Sequence, residues 1–200
     1  SLGDPGLVSV LTDAVCSVCR GEIRELANIG RTGTKREEYF RVVGEKTASL
    51  FSAGMVMAGM VSGAGNETLY ALENSGRLLG TAFQLVDDIA DITGDERVTG
   101  KVPGTDLRRG IVTLPVIIFA EMQGNRCIPE PLCRGNPDED AVRDICREIR
   151  ASGAIEECQK AAGEIAMETR KLLASFPDNC YREALDRLAQ EIVGPPEHGQ

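Results

Sequence analysis

The chain has 200 residues, 31 acidic and 22 basic side chains, and a net charge of −9. That balance argues against nucleic acid as a partner, because gripping a phosphate backbone needs a basic surface. A small phosphorylated ligand stays open, since a few local cations or a metal can hold it. The single histidine, His198, excludes a Ser-His-Asp triad and a multi-histidine metal site within these residues. Tryptophan is absent and aromatics are 4%, against 42% hydrophobic residues, so the core is aliphatic and suits packed helices. Seven cysteines, an odd number, follow no recognisable signal peptide, and reduced thiols in a cytoplasmic protein are expected. Cys16 and Cys19 form a C-x-x-C that reads as two small apolar residues one helical turn apart. Ser1 stands where a Met would, so a natural start upstream is expected.

Asp4-Pro5 is an N-cap and first-turn pair for a first helix, with Leu7, Val8, Leu11, Val15, Val18, Ile23 and Leu26 at helical spacing. Gly30 to Gly33 breaks it. Thr34 with Glu37 reads as a capping box for a second helix. That helix carries Tyr39, Val42, Val43, Lys46 and Leu50, then an uncharged stretch from Thr47 to Asn66. The stretch is too rich in Gly, Ala, Ser and Thr for a membrane span, and reads as a central helix that neighbours approach closely. A third helix is expected over about Glu67 to Ile92, and a Gly/Pro-rich charged loop from Asp95 to Gly110. A short apolar helix follows from about Thr113 to Met122, with Pro115 in its first turn, then a loop from Gln123 to Pro137. Amphipathic helices complete the chain over about Asp138 to Ala151, Ala154 to Ser175 and Asp178 to Val193. Nothing alternates with period two for long enough to be a strand. The fold class is all-α, a bundle of long packed helices in one domain over residues 1–200.

The third helix holds Phe83-Gln84-Leu85-Val86-Asp87-Asp88-Ile89-Ala90-Asp91. At about 100° per residue, Arg77, Gln84, Asp87, Asp88 and Asp91 share one polar stripe. Leu78, Leu79, Phe83, Leu85, Val86, Ile89 and Ile92 cover the remaining faces. Three like charges on a mostly buried helix need a counter-charge. Hard carboxylate oxygens suit Mg²⁺, which keeps several waters and bridges carboxylates to phosphates. A solvated acidic face, or an ion-pair network with Arg77 and a neighbouring helix, is the bland alternative. Lys46 on the central helix and Lys101 in the following loop are two lysines that, with a carboxylate-bound metal, would make a diphosphate site.

At these residues the sequence resembles the trans-isoprenyl diphosphate synthases, or polyprenyl synthetase family. Gly21-Glu22 is similar to the family's G-E element, and Tyr39 with Lys46-Thr47-Ala48-Ser49-Leu50-Phe51 to its Y…K-T-A-x-L-F. Gly80 to Asp91 resembles its second aspartate-rich motif. Gly100-Lys101, Gly104-Thr105-Asp106-Leu107 and Thr113-Leu114-Pro115 resemble the following G-K…D-L…T-L-P segment. The pieces come in the family's order between Gly21 and Met122.

The resemblance implies the isoprenoid synthase fold and Mg²⁺-dependent head-to-tail condensation of isopentenyl diphosphate with an allylic diphosphate, giving a geranylgeranyl or longer product. It implies Asp87, Asp88 and Asp91 as metal ligands, with Asp87 the most direct. Lys46 and Lys101 would be catalytic and bind the allylic diphosphate. Thr47 and Gln84 would hydrogen-bond substrate, and Phe83 would face a carbocation. A homodimer is implied. The family's first aspartate-rich motif is absent here, Glu25 stands where the family often has Gln, and Ile111 where it often has Lys. The chain thus resembles roughly the C-terminal two-thirds of a synthase, lacking its N-terminal helices. The alternative is a non-catalytic subunit of a heteromeric synthase.

Overall fold

The computed structural model describes residues 3–31, 33–94, 103–124 and 138–193. Helix α1 spans Pro5–Ala27. Asp4 caps it, its Oδ1 accepting from the Gly6 backbone N–H at 2.8 Å. Helix α2 begins at Arg36 and runs to Val43. The expected Thr34 capping box is not its start. The Thr34 hydroxyl instead donates to the Arg31 carbonyl, closing the preceding turn.

The expected second helix is not uniform. After α2 comes a π-helical turn, Gly44–Ala48, and then α3, Ser49–Val61. Backbone angles stay helical at both joints, with φ −58° at Val43 and −59° at Ser49. The wider turn shifts the register of everything after it by one residue. Helix α3 ends as Gly63 takes φ 74° and Ala64 N–H donates to the Gly59 carbonyl at 2.9 Å, as a left-handed cap requires.

Helix α4, Asn66–Thr93, matches the expected third helix. Within the segment read as loop, Thr105–Arg108 forms a single turn, α5. Helix α6, Leu114–Met122, follows an extended Thr113 with Pro115 in its first turn. Helix α7, Glu139–Ala151, is capped by Asp138, whose carboxylate accepts from Ala141 N–H at 2.7 Å. Helices α8, Ala154–Leu173, and α9, Cys180–Val193, complete the described chain. Helix α9 starts later than expected because Asn179, not Asp178, accepts from Tyr181 and Arg182 N–H. Among the described residues there is no strand, and no helix is long and apolar enough to cross a membrane.

The chain divides into two compact units. The first comprises Ser1–Glu22, Val42–Gln84 and Ala162–Gln200. Its core is built from small residues: Ala14, Ala48, Ala53, Ala82, Ala162 and Ala166 are all buried. Small side chains let helix backbones meet. A Cβ on Gly80 would lie 2.7 Å from Ala48 Cα, and one on Gly76 2.7 Å from Ser52 Cα. The second unit comprises Ile23–Arg41 and Leu85–Ala161 and has a large aliphatic core. Leu114, Val116, Ile117, Ile118 and Phe119 bury α6 on every side. Each such side chain contributes about 1.5–3 kcal/mol by leaving water.

Candidate functional site

The lysine element belongs to the first unit. Lys46 and Thr47 lie in the π turn, whose extra residue re-aims side chains that a regular helix would place elsewhere. Gly21 of α1 explains how the turn is held. A Cβ there would lie 2.5 Å from Lys46 N and 2.8 Å from Lys46 Cα, so α1 can approach only at a glycine. The next residue, Glu22, places Oε2 2.9 Å from Lys46 Nζ. The G-E and K-T elements, 25 positions apart by number, are thus one local assembly: glycine admits the turn and glutamate orients its lysine. Thr47 Oγ1 donates to Gln84 Oε1 at 2.7 Å, which brings together the two residues read as substrate donors. Phe83 is 45% exposed and its ring lies 5.5 Å from that of Phe51.

The aspartate element belongs to the second unit, and its carboxylates do not share one stripe as expected. Asp87 is exposed. Asp88 is 2% exposed and accepts from the Tyr39 hydroxyl, Oη to Oδ2, at 2.6 Å. The uniform angular reading fails because a stripe wide enough for both carboxylates straddles the line between solvent and core. Burial, followed by the neighbouring Asp88 charge, pushes the Tyr39 phenol well above its ordinary range, so it stays a donor. Asp91 accepts from the backbone N–H groups of Thr105 at 3.0 Å and Asp106 at 3.2 Å, one on each oxygen. Gly104 N–H donates to the Asp91 carbonyl at 2.8 Å. Asp91 therefore ties α5 to the end of α4. Burial pushes its pKa above the ordinary carboxylate value, and these backbone bonds oppose the rise. Arg77 donates to Asn74 Oδ1 at 2.6 Å, one turn before it on α4. Lys101 lies outside the described residues.

Asp106 went unassigned in the sequence, yet it completes a cluster of negative charge. Burial first, then Asp91, Glu25 and Asp87, push its carboxyl up to about 6 from 3.8. Between those values the native protein keeps a proton that the unfolded chain has released. The contribution of this group to stability is therefore fully present below about pH 4 and is lost as pH rises through about 6. Asp106→Asn is expected to raise the thermal midpoint at pH 7 by a few degrees at most, since the group is partly open to solvent, and to leave it nearly unchanged at pH 4. Calorimetric melts at both pH values check this.

Among the described residues, no three His, Cys, Asp or Glu side chains converge closely enough to cage a metal. A groove of about 450 Å³ in the first unit runs beside α3. Asp13, Arg20, Glu73 and Arg77 share that groove with Ala53 and Val56. Tyr39 and Glu22 were visible only as members of motifs. Their partners sit 49 and 24 positions away, beyond the reach of any helical period.

A model of the polyprenyl synthetase family matches residues 1–149. A nonaprenyl diphosphate synthase of Mycobacterium tuberculosis is 36% identical over 197 residues, 98% of this chain and 58% of that protein. An octaprenyl diphosphate synthase of Escherichia coli is 34% identical over 197 residues, 96% of this chain and 60% of that protein. Among solved structures, a decaprenyl diphosphate synthase from Rhodobacter capsulatus superposes with a TM-score of 0.85 at 31% identity, covering 96% of this chain and 60% of that one. A polyprenyl synthase from Caulobacter crescentus, solved with calcium and isoprenyl diphosphate, gives 0.88 at 29% identity over 95% of this chain and 59% of that one. The chain thus spans 58 to 60% of the length of these curated relatives.

Proposed function

Since this chain belongs to the polyprenyl synthetase family, we propose that the whole protein is a Mg²⁺-dependent prenyltransferase. It would condense isopentenyl diphosphate with an allylic diphosphate to a long-chain polyprenyl diphosphate. The observation that carries the reading is on α4 and its partner turn: Gln84 is engaged by Thr47, and Asp87 follows one turn later with its carboxylate in solvent. The relatives quoted above are named as long-chain synthases, which supports a product longer than geranylgeranyl and leaves the non-catalytic-subunit reading without support of its own.

The donor set fits Mg²⁺. That ion takes one or two carboxylates together with waters and phosphate oxygens, so a tight protein cage is not needed. Asp87 would be the direct ligand. When bound, the cation supplies positive charge against the diphosphate. Lys46 supplies further positive charge, and Lys101 is proposed for the same role. In the reaction the allylic C–O bond breaks and its electrons leave with the diphosphate. The isopentenyl double bond then forms the new C–C bond, and one proton is lost. Thr47 and Gln84 would orient the substrate, and the Phe83 ring would face the positive charge. Isothermal titration of the chain with farnesyl diphosphate, with and without Mg²⁺, tests the reading. Mg²⁺-dependent binding supports it; equal or absent binding in both conditions removes it.

A homodimer is the second part of the proposal. On α1, Val8, Leu11, Val15, Ile23 and Leu26 are 46 to 67% exposed. They fall within about 120° of one another around the helix. A two-fold interface uses one such self-complementary row twice. Val15→Glu, at its centre, is expected to weaken self-association at least tenfold, read by light scattering after size exclusion. A wild-type chain that is monomeric at high concentration overturns this part.

A further inference from the structure

We infer that Tyr39 is a positioning residue for the metal-binding end of α4, acting through Asp88. The inference rests on the proposed function and concerns the division of labour within Asp87-Asp88-x-x-Asp91.

Neighbouring carboxylates on a helix point about 100° apart, which sets a choice on a mostly buried helix of whether Asp87 or Asp88 meets solvent. The fold resolves this by placing Asp87 outside and Asp88 inside. Asp88 is 2% exposed, and Tyr39, at 5%, is almost as deeply buried. A carboxylate at that depth is stable only with donors, and the Tyr39 hydroxyl supplies one at 2.6 Å. The bond is short, as a hydrogen bond to a carboxylate should be. On the same helix Leu85, Ile89 and Ile92 are buried, and so is Cys158. Burial and the Asp88 charge together push the Cys158 thiol up to about 12, so it stays neutral.

Tyr39 therefore fastens α2 to the turn of α4 that carries Asp87. Asp88 rotates with that turn, and any rotation that lengthens the Tyr39 bond also swings the Asp87 carboxylate. Groups hydrogen-bonded to a ligand itself commonly hold metal affinity by 10 to 100-fold; the phenol acts one residue removed, so the lower end of that range is expected. On this account Asp88 serves the motif from the core, and its oxygen bonded to Tyr39 is directed away from solvent.

The test uses Tyr39→Phe, Asp88→Asn and the double variant in the chain as it stands. Farnesyl diphosphate is the probe, Mg²⁺ is titrated, and melting is followed in parallel. Tyr39→Phe is expected to raise the Mg²⁺ concentration for half-maximal binding by about tenfold. The double variant should cost no more than the worse single one, since both act through one bond. Tyr39→Phe that lowers the melting temperature but leaves the Mg²⁺ half-point within twofold of wild type overturns the inference, because a purely structural bond would behave that way. Additive costs in the double variant overturn it as well. If Tyr39→Phe does not fold, Asp88→Asn decides alone: an unchanged half-point counts against the inference. A wild-type chain with no Mg²⁺-dependent binding is a distinct result. It removes the proposed function itself, and the inference with it.

Discussion

Asp87→Ala is expected to abolish Mg²⁺-dependent binding of farnesyl diphosphate, weakening it about a hundredfold or more, while leaving the fold intact. The asymmetry follows from exposure. Asp87 faces solvent, so its carboxylate can be removed without opening a cavity or stranding a buried partner. Substitutions at such positions usually shift stability by no more than about 0.5 kcal/mol. Titration calorimetry and thermal melts on the same sample check both halves. Binding within about threefold of wild type would mean that Asp87 is an ordinary surface acid, and that the aspartate motif does not hold a cation in this chain. Asp88→Asn should add a clear loss of stability to its effect on the Mg²⁺ half-point, because the buried Tyr39 hydroxyl loses its ionised acceptor.

Gly21→Ala is expected to be among the most destabilising single-methyl changes in the molecule, at about 3 kcal/mol. The added carbon would meet Lys46 N at 2.5 Å and Lys46 Cα at 2.8 Å, and backbone cannot rotate away as a side chain can. Either α1 moves off or the π turn is displaced. Both outcomes also break the Glu22–Lys46 pair. Gly54→Ala is the matched control. It lies within α3 with nothing inside 4 Å of its added carbon, and should stabilise the protein by about 0.5–1 kcal/mol through helix propensity alone. Urea unfolding of the two variants gives the comparison. If Gly21→Ala unfolds at the wild-type midpoint, the close approach of α1 to the π turn is wrong.

These two glycines also mark how far a linear reading goes. Gly21 and Gly54 look alike in the sequence, each a glycine in a helical stretch. Only the partner backbone separates a required glycine from a tolerated one. The aspartates show the same limit. Their spacing and apolar flanks identify an acidic motif on a buried helix, but helical angles alone put Asp87, Asp88 and Asp91 together. The difference between a carboxylate in water, one held by Tyr39 and one tied to the backbone at Thr105 and Asp106 needs the neighbouring elements. The uncharged stretch after Lys46 was legible as a helix that neighbours approach closely. The π turn inside it was not, because one extra residue in a single turn leaves too weak a trace in any periodicity.

By itself the sequence determined the all-α class, most helix positions and the family, because apolar periodicity, caps and motif order are properties of short stretches. Tertiary structure alone decided which glycines admit a backbone, that Glu22 reaches Lys46, and which aspartate is open to solvent. Those outcomes depend on contacts between residues tens of positions apart, and burial gives chemically identical carboxylates different surroundings.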